Sequence, residues 1–170
     1  MSAGHSDEGM LAAGSRAPSF ELHSLQFDKR NGKGVAQPLE DAWKNGPALL
    51  VFYKISCPVC QLTLPYLERL SAGSRLHVVG ISQDDSGPTH SLLDRLHVAF
   101  TTLLDLEENG YPASNAYGIT SVPALFLIDP GGRIANSFSG FSKRDLEALA
   151  QLAGVPVFHP GEKVPEWKAG

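Results

Sequence analysis

The sequence predicts an α/β fold, a three-layer sandwich with helices packed on a central sheet. Ala48 to Tyr53 is an apolar run without alternation, which suits a parallel strand covered on both faces. Val59, Leu62, Tyr66, Leu67 and Leu70 then recur at helical spacing, and Leu76 to Ser82 is a second buried strand. Further strands and helices alternate before a closing hairpin and helix, an order that layers helices on a sheet through right-handed crossovers.

Residues 1–15 are rich in Gly, Ser, Ala and acidic side chains and predict a disordered lead. Phe20, Leu22 and Leu25 suggest a short strand. Val35 to Leu39 is its return, after a turn-rich stretch from Phe27 to Lys33. Asp41 to Lys44 predicts one helical turn before the central strand. Pro58 suits the first turn of the next helix, residues 58–71, where no amide donor is lost, and Pro65 should kink its interior. Leu92, Leu93 and Leu96 mark a helix over about residues 88–97, followed by a short strand at 100–104 and a short helix or turn at 109–117. Ala124 to Ile128 is a strand stopped by Asp129-Pro130-Gly131-Gly132, and Arg133 to Phe138 is its hairpin partner. Leu146, Leu149 and Ala150 mark a final helix over 142–153, with Gly154 as its cap. Residues 155–170 carry three prolines and no period, and predict an extended tail without regular structure. One folded domain therefore spans residues 16–154.

A net charge of −4 gives no basic footprint, which argues against a nucleic-acid partner. No apolar run approaches the roughly 18 residues of a membrane span. Residues 1–18 contain no continuous apolar stretch of the signal-peptide kind, so the expected compartment is cytoplasmic, with no membrane partner.

The chemistry gathers at Phe52-Tyr53-Lys54-Ile55-Ser56-Cys57-Pro58-Val59-Cys60, which holds both cysteines of the chain. Two thiols at the junction of a buried strand and a helix N-terminus form a reversible dithiol/disulfide centre. The positive end of the helix dipole favours the thiolate of the leading cysteine. Half of a zinc site is the first competing reading. It lacks partners, because His5, His23, His77, His90, His97 and His159 are scattered without zinc-hairpin spacing, and no metal or other cofactor is expected. A purely structural disulfide would close a tiny loop and constrain little of the unfolded chain. Asp84-Asp85 reads as a solvated loop after a strand rather than a metal pair.

With these residues in place the chain resembles the thioredoxin superfamily. Pro65 stands five residues after Cys60, as in the kinked active-site helix of that superfamily, and Ser121-Val122-Pro123 precedes a strand as the segment carrying its cis-proline does. Gly14-Ser15-Arg16-Ala17-Pro18-Ser19-Phe20, and the extra helix and strand between Ser82 and Leu104, are similar to features shared by peroxiredoxins and the TlpA/ResA-like oxidoreductases, the AhpC/TSA–redoxin-like domain. The resemblance implies a cis Val122–Pro123 bond and a substrate groove shaped by Pro123, Val122 and Ser121. It makes Cys57 the attacking and Cys60 the resolving thiol, with Pro58 and Val59 tuning the potential. Lys54 could favour the Cys57 thiolate.

The chain also departs from both groups. The peroxidatic pattern Pro-x-x-x-Thr-x-x-Cys meets Leu50 and Lys54 here, so peroxide has no matched hydroxyl beside the thiolate. The buried Asp of thioredoxin is Val51, the Glu of ResA-like proteins is Thr63, and the tryptophan before the first cysteine is Ser56. Proton transfer is thus unassigned. The expectation is a thiol-disulfide oxidoreductase acting on a disulfide-containing protein or small thiol substrate and recycled by a dithiol reductant. The alternatives are an atypical peroxiredoxin-like peroxidase and a non-enzymatic redox sensor or metal-handling binder.

Overall fold

Strand β3 (Ala48–Tyr53) is wholly buried because both of its faces are covered. Leu49, Val51 and Tyr53 point into one apolar layer with Leu64, Leu67, Leu70, Leu92, Leu93, Leu146 and Leu149. Leu50 and Phe52 point into the other, with Leu39, Trp43, Ala113 and Tyr117. That double covering is why the run lacks alternation. The computed structural model describes residues 9–27 and 34–170.

A sheet of seven strands runs through the molecule in the order β2-β1-β5-β4-β3-β6-β7. It comprises β1 (Glu21–Phe27), β2 (Gly34–Pro38), β3, β4 (His77–Ser82), β5 (Thr102–Leu104), β6 (Ala124–Ile128) and β7 (Ile134–Ser139). The β3–β4 and β4–β5 pairs are parallel, and the remaining pairs are antiparallel. Helices α1 (Pro58–Ser71), α2 (Ser86–Leu96) and α4 (Lys143–Ala153) bury their apolar stripes on the first face. The short α3 (Pro112–Ala116) and a 3-10 turn at Leu39–Trp43 cover the second. The unit α2–β5 is inserted so that β5 lies between β1 and β4.

Local chemistry sets the boundaries. The Ser142 hydroxyl accepts from Asp145 N–H and caps α4, and Gly154, at φ 73°, closes it in the left-handed conformation that glycine takes without strain. Helix α1 runs unbroken through Pro65.

Two expectations at the ends are corrected. The disordered lead assigned to residues 1–15 does not hold from residue 9 onward, and residues 1–8 lie outside the described residues. Leu11 N–H donates to the Tyr117 carbonyl and Gly14 N–H to that of Ile134, while Met10 and Leu11 pack on the second apolar layer. These few apolar and backbone contacts anchor a segment whose composition is otherwise that of a loose lead. The tail is extended but not wholly irregular, because β9 (Trp167–Lys168) pairs antiparallel with β8 (Phe141–Ser142). Its prolines lie outside that pair. The turn expected near Phe27 to Lys33 falls largely on residues 28–33, outside the described residues.

Candidate active site

Cys57 ends the loop that leaves β3 and is the N-cap of α1. Its Sγ accepts the Cys60 N–H at 3.1 Å, and its thiol donates to the Val122 carbonyl at 3.4 Å. The amide contact strengthens when the sulfur becomes a thiolate, since charged acceptors make stronger bonds. Cys57 is half-buried and Cys60 fully buried, and both are free thiols. Burial pushes the Cys60 thiol well above its ordinary range, and its hydrogen bond with Cys57 adds to this. A Lys54 backbone group opposes the shift, while the charges of Cys57 and Asp84 reinforce it. The first cysteine is therefore reachable at the mouth of α1, and the second is held protonated one turn inside.

The loop between strand and helix is pinned from both sides. Ile55 N–H donates to Asp84 Oδ2 at 2.7 Å, and Gln61 Nε2 donates to the Ile55 carbonyl at 2.8 Å. Asp84 is in position because the parallel register sets Tyr53 against Ser82, so continuing both chains two residues brings 55 beside 84. Opposite the cysteines, the Val122–Pro123 peptide is cis, and the Pro123 carbonyl accepts from Gly140 N–H at 2.8 Å. The Val122 carbonyl faces the Cys57 sulfur.

A family model described as the AhpC/TSA family matches residues 13–137. The chain belongs to the AhpC/TSA family. Its kinship is with enzymes of thiol-disulfide exchange. It is 25% identical over 143 residues to the thiol-disulfide oxidoreductase ResA of Geobacillus thermodenitrificans, covering 81% of this chain and 75% of that one. It is 29% identical over 138 residues to the thiol:disulfide interchange protein DsbE of Pseudomonas aeruginosa, covering 79% and 72%. A Chlorobium tepidum crystal structure described as a thiol:disulfide interchange protein DsbE superposes with a TM-score of 0.68 at 26% identity, covering 84% of this chain and 95% of that one. The fold is thioredoxin-like, and the chain is an oxidoreductase by this kinship.

The structure brings Cys57, Cys60, Val122 and Pro123 together, with Ser121 in the same loop. Pro58 opens α1 with its ring exposed, and Val59 leans on the first apolar layer. Lys54 is different. Its side chain is exposed, and it serves the site through its backbone, whose carbonyl accepts from Cys57 N–H. Thr63 is fully buried and donates its hydroxyl to the Val59 carbonyl at 2.7 Å, so it closes on its own helix. Val51 is an apolar residue of the core layer. Asp84 is the residue that sequence reasoning passed over as a solvated loop. The signal was its offset beyond β4, which becomes meaningful only once the pairing register is known. It lines a cleft of about 400 Å³ with Gln83, Asp85, Glu107, Glu108 and Tyr111. Among the described residues no group of three or more His, Cys, Asp or Glu is arranged to hold a metal ion.

Proposed function

We propose that the protein is a thiol-disulfide oxidoreductase that cycles Cys57 and Cys60 through a mixed disulfide with its substrate. The observation that carries this reading is the asymmetry of the pair, one thiol half-exposed at a helix N-terminus and its neighbour fully buried behind it. The Cys57 thiolate attacks one sulfur of a substrate disulfide. That S–S bond breaks, and the other substrate sulfur leaves as a thiolate and takes a proton. Cys60 then loses its proton and attacks the Cys57 sulfur, releasing the second substrate thiolate and leaving a Cys57–Cys60 disulfide. Two electrons pass to the substrate, and a dithiol reductant restores the pair. Asp84 pins the loop before Cys57 by accepting Ile55 N–H at 2.7 Å, and its charge bears on Cys60, so we name it as the acceptor to test for the Cys60 proton. Val122, Pro123 and Ser121 supply the surface against which the substrate lies. In a cytoplasmic compartment the glutathione poise would rest the pair as a dithiol.

Trapping tests this reading. With Cys60→Ser, attack occurs without resolution, so mixed disulfides through Cys57 should accumulate, while Cys57→Ser should accumulate none. Wild type should drive dithiol-dependent reduction of insulin and turn over hydrogen peroxide poorly. Efficient peroxide turnover with no trapped disulfide would replace the reductase with a peroxidase.

A further inference from the structure

The last residues of the chain return to the reactive sulfur. Val157 is buried, and Phe158 packs edge-on to Tyr66, at 5.3 Å between ring centres. Arg69 holds both oxygens of Glu162, at 2.8 and 2.9 Å. From that clamp the chain crosses to the head of α4, where Lys143 N–H donates to the Glu166 carbonyl at 3.0 Å. Trp167 and Lys168 then pair with Ser142 and Phe141. Gly140 permits this approach, since a side chain there would meet the Lys168 carbonyl. Gly170 ends against the Val122 carbonyl and the Pro123 ring, so closely that a side chain at 170 would run into that carbonyl. The same carbonyl accepts the Cys57 thiol.

We propose that residues 166–170 form a self-docked strap that competes with protein disulfides for the surface beside Cys57, so that the resting enzyme favours small disulfides over those embedded in a protein chain. The inference rests on the oxidoreductase reading for its substrates, but its geometry is independent of that reading. An extended protein segment approaching the Cys57 sulfur needs the Val122–Pro123 edge, and Gly170 occupies it. A small disulfide needs only the exposed side of the sulfur. The contacts that hold the strap include a two-residue ladder, one further backbone bond and the solvent-facing Lys143–Glu166 pair, each of them individually small. The clamp at Arg69–Glu162 keeps the lifted strap tethered, which makes displacement reversible.

The test uses the reduced chain of residues 1–170, Gly170→Val and a chain lacking residues 166–170. Each is alkylated with iodoacetamide and with a maleimide carrying a bulky polymer, and the Cys57 rates are followed by mass. Both variants leave the Arg69–Glu162 clamp in place. The ratio of bulky to small reagent rates should rise about fivefold or more in both, as expected if the strap is open a fifth of the time or less in wild type. The rate of insulin reduction relative to reduction of oxidised glutathione should rise in parallel. A bulky-to-small ratio within about twofold of wild type in the deleted chain overturns the strap, whatever the reductase activity, because an open fraction near one leaves nothing to relieve. Loss of disulfide reduction in every sample with the alkylation ratio raised overturns the oxidoreductase reading and leaves the strap standing.

Discussion

Cys60 has no exposed surface, and everything it does in an exchange cycle depends on a proton that burial holds in place. Asp84 acts on that proton in two opposing ways. Its charge disfavours the Cys60 thiolate, and its carboxylate is the base that the proposed cycle assigns to the Cys60 proton. Asp84→Asn separates the two, since the amide oxygen can still accept the Ile55 N–H and keep the loop in place. The titration of Cys60, read from alkylation in a Cys57→Ser background, should move to lower pH. Resolution of a preformed mixed disulfide at pH 7 should nevertheless slow by roughly a hundredfold or more, the lower end of what a positioned general base contributes. A slower resolution without movement of the titration would make Asp84 a purely structural pin. An unchanged resolution rate would remove it from proton transfer. The Cys57–Cys60 pair was legible in the sequence because both thiols are in one motif. Asp84 was not, because its relation to Ile55 exists only through the parallel pairing of β3 with β4.

At the scale of elements, α3 shows how a distant side chain supports the site. Five residues are too few to hold a helix by propensity alone. The fully buried Asp105 carboxylate holds its start, accepting from Ala113 N–H at 3.0 Å, Ser114 N–H at 2.7 Å and the Ser114 hydroxyl at 2.6 Å. The helix sets Tyr117 against Phe52 and Phe126, at 5.2 and 4.9 Å between ring centres, and leads directly into the Val122–Pro123 loop. Asp105→Ala leaves two buried amides without an acceptor and should cost about 2–4 kcal/mol. In a thermal melt that is a fall of roughly 5–15 °C for a chain of this size. Asp105→Asn keeps one good acceptor and should fall less, and equal losses would place the effect in packing rather than hydrogen bonding. The long elements were legible because burial imposes a period, as in β3 and α1. The short helix at residues 112–116 was legible only as a helix or turn somewhere in 109–117, and the anchoring of residues 9–15 and the β8–β9 ladder were not legible. Their stability comes from single long-range contacts that leave no periodic trace, such as Asp105 to Ala113 or Leu11 to Tyr117.

Over the whole molecule, the tail binds the C-terminal residues to the active-site helix, and its main polar tie is sensitive to acid. The Arg69 guanidinium donates to both Glu162 oxygens and holds that carboxyl down to about 2, against an ordinary value of 4.5. A depressed carboxyl stabilises the folded state in full above the unfolded value. The contribution declines as pH falls and the unfolded chain takes the proton first, and it is gone below the folded value. Glu162→Gln should therefore melt below wild type at pH 7, with a gap that stays constant down to about pH 5 and closes between 4.5 and about 2. The pair is partly exposed, so salt should narrow the gap. Deleting residues 156–170 should lower the melting temperature further, because it also removes buried Val157 and the Phe158 ring from Tyr66 and Phe141. That apolar part does not titrate. The deleted chain should thus remain less stable than wild type at pH 2, where Glu162→Gln and wild type coincide. Coincidence of all three at pH 2 would mean that the ion pair alone holds the tail.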